Sequence, residues 1–281
     1  MRLGINLLCA KSHLGEADRD LLLQVKDAGY DLVEIPMFEG DPAHYRTLGA
    51  TLDAIGLARS CTAIIPSPEA DPTRPDPAVR AAGIAHLDWI VACATALGAE
   101  SIGGPFHAAF GVFDRAPPSA EDRERGVAAH RAMAESLPDG MILSLEPLNR
   151  FECAFLNTAA DSVAYAEAVA HPAFRLMPDT FHMNIEERDP PAAMAHYAPY
   201  AGIVHVSEND RGIPGRGHID FAAHFAALKG EGWDGTIVVE AFGATLPELA
   251  AATRVWRPLY PDTDTLFTEA HDFVRESWAC A

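Results

Sequence analysis

Met141-Ile-Leu-Ser-Leu-Glu146 and Phe174-Arg-Leu-Met-Pro-Asp179 are two short apolar runs that each end on a carboxylate, and their reading decides the fold. Aliphatic side chains follow one another without amphipathic alternation, as in a strand covered on both faces, and each run stops at a charged residue. A carboxylate in that place is pushed out at the strand's C-terminal mouth, where parallel α/β sheets hold their ligands. Ile203-Val-His205-Val-Ser207 and Ile237-Val-Val-Glu240 repeat the pattern. Four strands of the second half thus each deliver one metal-competent residue: Glu146, Asp179, His205 and Glu240.

Outward from these runs, strands and helices alternate along the whole chain. Strands are expected at Leu3 to Leu8, Leu32 to Pro36, Leu57 to Ile65 and Ser101 to Gly104. Helices follow at Asp18 to Ala28, Tyr45 to Ile55, Pro77 to Leu97 and Ala120 to Ser136, with Gly29, Gly56 and Gly98 as stops and Ser119 with Asp122 as a start. Thr158 to Val169, Pro191 to Tyr200, Asp220 to Glu231 and Leu246 to Val255 are the later helices. Eight strand-then-helix units of about 30 residues each predict a (β/α)8 TIM barrel, one domain over 1–281, with an extra C-terminal helix from Asp264 to Trp278. An open doubly wound sheet is the weaker alternative, because Leu8-Cys-Ala-Lys-Ser carries no glycine-rich phosphate loop after the first strand. Two proline-rich loops, 66–77 and 114–119, interrupt the rhythm, and Gly103 with Gly104 reads either as a close backbone approach or as a simple turn.

Composition narrows the function. A net charge of −19 argues against nucleic acid and anionic membrane surfaces as partners. The five cysteines are scattered and odd in number, which suggests neither a disulfide framework nor a zinc ribbon and fits a reduced cytoplasm. No run approaches membrane-spanning length, and Met1-Arg2-Leu3-Gly4-Ile5 is already strand-like rather than an export leader.

Barrel closure brings the ends of strands five to eight to one rim, so residues far apart in sequence converge. Two Glu, one Asp and one His offer three hard oxygen donors and an imidazole, a set suited to Mn²⁺ or Mg²⁺, with Co²⁺ as an alternative, rather than to structural zinc. An octahedral ion held by four protein groups keeps two positions for neighbouring sugar oxygens. Any one of the four, taken alone, is as easily a helix cap, half of an ion pair or a satisfied core histidine; their placement at matching strand ends favours the site. The rim loops add Arg150 and Glu152 after strand five, His182 three residues past Asp179, and Arg211 in the glycine-rich Glu208 to His218 stretch.

The strings Glu146-Pro-Leu-Asn-Arg-Phe-Glu152, Asp179-Thr-Phe-His-Met-Asn-Ile-Glu-Glu187, His205-Val-Ser-Glu-Asn-Asp-Arg-Gly212 and Glu240-Ala-Phe242 resemble the ketose 3-epimerases of the D-tagatose and D-psicose 3-epimerase group, within the xylose-isomerase-like barrels. The resemblance covers the second half closely and the first half by architecture. It implies that Glu146, Asp179, His205 and Glu240 bind a catalytic divalent ion, usually Mn²⁺, and that Glu146 and Glu240 double as the acid/base pair. It also implies that Glu152, His182 and Arg211 hold the ketose oxygens, that Phe242 lines the pocket, and that the chain forms a homodimer or homotetramer.

Chemistry supports the same reading. A proton on C3 of a ketose lies beside the C2 carbonyl, and its removal gives a cis-enediolate whose charge a cation can stabilise. One Glu on each face could remove the proton and return it from the opposite side. The rivals on this scaffold are aldose-ketose or hydroxypyruvate isomerisation and inosose dehydration; an endonuclease-IV-like nuclease, which would need a basic groove; and a non-catalytic sugar-binding barrel. A two-metal isomerase of the xylose type would need a lysine near the metals, and of the three lysines only Lys11 lies near a predicted strand end.

Overall fold

Eight parallel strands of three to five residues form one sheet in the order β6-β5-β4-β3-β2-β1-β8-β7. They are β1 (Arg2–Asn6), β2 (Leu32–Pro36), β3 (Ala58–Thr62), β4 (Ser101–Gly104), β5 (Ile142–Leu145), β6 (Phe174–Leu176), β7 (Ile203–Val206) and β8 (Thr236–Val239). The computed structural model describes residues 1–114, 116–244 and 246–281, so one residue of the proline-rich stretch 114–119 lies outside the described residues. The strands are short because polar or proline residues end each apolar run. β6 is the shortest, since Pro178 has no N–H to offer the ladder.

The seam between β6 and β7 closes through isolated parallel bridges at Leu176–Ala201 and Asp179–His205. The Gly202 N–H donates to the Leu176 carbonyl and the His205 N–H to the Pro178 carbonyl, both at 2.9 Å. The barrel is therefore joined at the level of two of the expected metal ligands.

Helices α1 (Arg19–Asp27), α2 (Pro42–Ile55), α3 (Pro77–Leu97), α4 (Ala120–Glu135) and α5 (Ala159–Val169) follow the expected spans to within a residue, except that α2 starts three residues before the expected Tyr45. Local chemistry sets their ends. Asp41 and Asp76 cap α2 and α3 ahead of a proline in the first turn, and Gly56 and Gly98 end them in the left-handed region at φ 76° and 70°. Ser119 and Asp122 form the reciprocal capping box of α4.

The sequence reading missed α6 (Thr180–Glu186), a seven-residue helix that starts directly after Asp179. After it come α7 (Pro190–Tyr197), α8 (Phe221–Gly230), α9 (Pro247–Thr253) and α10 (Thr263–Cys280). The C-terminal helix α10 buries Leu266, Phe267, Ala270 and Val274 and packs on β1 and α8. The shorter α9 lies at the barrel mouth instead. Among the described residues no helix is long and apolar enough to cross a membrane.

Candidate active site

Each strand end delivers its residue by continuing the ladder. The Glu146 N–H donates to the Gly104 carbonyl and the Glu240 N–H to the Val206 carbonyl, both at 3.0 Å, which turns both carboxylates inward at the C-terminal mouth. His205 lies within β7. Asp179 caps α6, one carboxylate oxygen accepting the Phe181 N–H at 2.7 Å while the other faces the barrel. One ligand atom from each of Glu146, Asp179, His205 and Glu240 falls within 4.8 Å of all the others, and all four residues are buried.

Burial and mutual repulsion shape the charges of this quartet. Burial, reinforced by Glu240, pushes the Glu146 carboxyl well above the usual carboxylate range. Burial also raises Asp179, to about 6. For Glu240 the same burial opposes ionisation, but His205 and Arg211 outweigh it and hold the group down to about 2. Burial opposes charge on His205 as well, yet Glu34 and Glu240 overcome it and raise the imidazole well above its ordinary value.

A divalent cation fits these residues. Glu34, Glu146, Asp179 and Glu240 are four buried acidic side chains set against one guanidinium, Arg211, and one imidazole, His205, and such an excess of buried acids is offset by protons in the free protein and by a cation where one binds. His205 Nδ1 is buried without a hydrogen-bond partner, 3.4 Å from a Glu240 oxygen and 3.9 Å from a Glu146 oxygen. Hard oxygens with one imidazole suit an octahedral hard or borderline ion.

Arg211, His182, Glu152 and Phe242 line the cavity above the quartet, with Glu146 and Glu240 at its base; its volume is about 310 Å³. Arg211 Nη1 donates to Glu240 at 2.6 Å, to Asp179 at 2.9 Å and to Ser207 Oγ at 3.1 Å. Its guanidinium lies 3.7 Å from the Phe181 ring centroid and 4.9 Å from that of Phe242. The Asn149 N–H donates to His182 Nδ1 at 3.0 Å, which places the ring proton on Nε2, 3.5 Å from a Glu146 oxygen. Burial, with Arg211 nearby, drives the His182 imidazolium well below its ordinary range and keeps the ring neutral. Arg211 Nη2 lies 3.0 Å from His182 Nε2, and both side chains line the cavity. Asn149 also donates to Glu152 at 3.0 Å, steadying that carboxylate at the rim.

Other residues singled out in the sequence lie elsewhere. Arg150 pairs with Glu186 at 2.9 Å and is largely exposed, and Lys11 pairs with Asp18. Gly103 and Gly104 make room for protein, not for ligand. A Cβ on Gly104, at φ 106°, would meet the Ala63 carbonyl oxygen at 2.4 Å, and one on Gly103 would lie 3.2 Å from a Glu34 oxygen. Sequence reasoning passed over Glu34 and Asn6 on the barrel floor, the buried Glu208, and the apolar mouth formed by Leu8, Phe38, Phe110 and Leu249.

Fold and site together define a class: a (β/α)8 barrel whose C-terminal mouth holds a buried carboxylate-rich group able to take a divalent cation, beneath a small cavity. The model of the xylose isomerase-like TIM barrel family matches residues 22–273. An L-ribulose 3-epimerase from Mesorhizobium japonicum is 34% identical over 278 residues, covering 97% of this chain and 93% of the relative. A ketose 3-epimerase from Arthrobacter globiformis is 33% identical, covering 98% of this chain and 96% of its own length. The crystal structure of a D-allulose 3-epimerase from Methylomonas sp. in complex with D-allulose superposes with a TM-score of 0.91 at 31% identity, covering 99% of this chain and 97% of that one. The chain belongs to the xylose isomerase-like TIM barrel family and, within it, to the ketose 3-epimerases.

Proposed function

We propose that this chain, a single barrel domain over residues 1–281, inverts C3 of a free ketose of the L-ribulose, D-tagatose or D-psicose/D-fructose class with the help of a divalent cation, Mn²⁺ before Co²⁺ or Mg²⁺. The observation that carries the reading is the meeting of Glu146, Asp179, His205 and Glu240 at the base of a cavity whose relatives are ketose 3-epimerases. These four residues would hold the cation. When bound, it supplies Lewis-acid stabilisation of negative charge on the sugar oxygens.

The chain's own residues carry the proton. Glu240, held ionised by His205 and Arg211, takes the C3 proton on a carboxylate oxygen, leaving a planar cis-enediolate. Glu146 returns a proton to C3 from the other side, and the roles exchange in the reverse direction. His182 Nε2–H and Arg211 Nη2 anchor a sugar oxygen, Glu152 accepts from a hydroxyl, and Phe242 closes the apolar side.

Arg211 is the one cationic side chain that lines the cavity among the described residues, and Asp179 and Glu240 already pair with it. That supports an unphosphorylated substrate, since a phosphate would be desolvated without a matching charge. Five free cysteines and the absence of a disulfide among the described residues support a reducing cytoplasm, and a homodimer or homotetramer is proposed by analogy with the family alone.

The test is a panel of free ketoses with Mn²⁺, read by chromatography for C3 epimers and by deuterium uptake at C3 in D₂O. Turnover of at least one ketose is expected, with exchange abolished in Glu146→Gln and Glu240→Gln while sugar binding survives. Undiminished exchange in either variant would remove that glutamate from the acid/base pair.

A further inference from the structure

Beneath the cavity, and outside its lining, lies the fourth buried carboxylate of the site. Glu34 on β2 is fully buried and accepts three hydrogen bonds: from Asn6 Nδ2 at 2.9 Å, from Ser60 Oγ at 3.1 Å, and from His205 Nε2 at 2.8 Å. Two strands away on β4, Gly103 leaves space beside it, since a Cβ there would lie 3.2 Å from its Oε2. Asn6 is itself fixed, its Oδ1 accepting the Leu8 N–H at 2.9 Å, so its Nδ2 must face Glu34 and, at 3.5 Å, Glu240.

An ionised carboxylate only accepts, so the bond to Glu34 requires the proton of His205 on Nε2. In the neutral ring that would bind a cation, the lone pair then lies on Nδ1, the atom that has no hydrogen-bond partner and that faces Glu146 and Glu240. We propose that Glu34 is a positioning residue that locks His205 as its Nε2–H tautomer and so presents Nδ1 to the divalent cation. The proposal rests on the reading of Glu146, Asp179, His205 and Glu240 as a cation site. An anionic acceptor does more than orient the ring: it also makes the ligating nitrogen more basic, which a carbonyl or hydroxyl does less well. Glu34 would not touch the sugar.

The test compares Mn²⁺ affinity, by competition with a chelating indicator, in the wild type, Glu34→Gln and Glu34→Leu. Melting of the metal-free proteins serves as the structural control. Glu34→Leu removes the acceptor at similar size and is expected to weaken Mn²⁺ binding by roughly 10- to 100-fold, whereas Glu34→Gln keeps an acceptor and recovers part of that loss. A purely structural role would lower the melting temperature and leave the affinity alone.

A second measurement needs no variant at residue 34. In Mg²⁺-loaded wild-type protein carrying ¹⁵N-histidine, the His205 resonance, identified by its loss in His205→Gln, is expected to show a protonated Nε2 and a bare Nδ1. A proton on Nδ1, or Glu34→Leu binding Mn²⁺ within twofold of wild type, overturns the assignment. If the wild type binds no Mn²⁺ at all, the cation site itself falls, an outcome distinct from the failure of Glu34's role.

Discussion

Arg211 concentrates several demands in one residue. It is a non-glycine residue at φ 69°, a conformation that costs about 1–3 kcal/mol unless the surroundings enforce it. The enforcement is visible: its N–H donates to the Glu208 carbonyl, its carbonyl accepts the Phe242 N–H, and its guanidinium lies against Phe181 and Phe242. Burial opposes its charge, but Asp179 and Glu240 keep it firmly cationic. A lysine would retain the charge yet lose the planar fork and the stacking. Arg211→Lys is therefore expected to lower kcat/KM by about 100-fold, the size of effect seen when one preorganised donor is removed from an active site. Steady-state kinetics on the preferred ketose would show it, and a change of less than about threefold would mean that the fork has no part in the reaction.

At the scale of the element, the β7–α8 loop is the device that brings Arg211 inward. Glu208, fully buried, accepts four backbone N–H groups: from Asn209, His218 and Ile219 on one oxygen at 3.0 to 3.1 Å, and from Gly215 on the other at 2.9 Å. Glu208→Gln would turn an amide NH₂ against these backbone donors, of which the His218 N–H has a second acceptor in Asn209 Oδ1 at 3.0 Å. The expected loss is about 1–3 kcal/mol of stability, with faster hydrogen exchange at Gly215, His218 and Ile219 and a higher KM. Unchanged exchange at those amides would show that the loop holds without its acid. This element also shows where legibility in the sequence stops. That Glu146, Asp179, His205 and Glu240 come together could be read because strands covered on both faces are apolar throughout, so an acid or imidazole at or near a strand end stands out. Glu208 sits among glycines and polar residues, where an organising acid looks like any solvated one. Glu34 lies mid-strand in Leu32-Val-Glu-Ile-Pro36, and only barrel closure decides that it faces inward. Helix α6 escaped because its seven residues, Thr180 to Glu186, span too few turns to show a helical period. Strand β1 ends two residues earlier than expected because Asn6 caps the turn at Leu7–Cys9.

For the whole molecule, the barrel gathers like charges on its axis and closes its last seam through Asp179 and His205, so fold stability is linked to the four residues proposed to hold the cation. Above pH 7 the unfolded chain holds an ionised Glu146 and a neutral His205. In the metal-free fold, burial and Glu240 keep the first protonated beyond its usual range, and Glu34 with Glu240 keeps the second charged. The folded state therefore binds more protons than the unfolded chain, and its stability declines as pH rises through the folded values. Glu240, held down to about 2, and His182, kept neutral, titrate below this window and do not reverse the sign. Ligation replaces those protons, so affinity for the ion grows with pH. Calorimetric melting of chelator-treated protein is expected to give a falling melting temperature from pH 7 to pH 8.5. Protein saturated with Mn²⁺ should change little, so the gap between the two widens. A gap that stays constant or narrows toward alkaline pH would mean that the buried acids and His205 are not what the ion compensates, and that the coupling between barrel closure and metal binding has been misassigned.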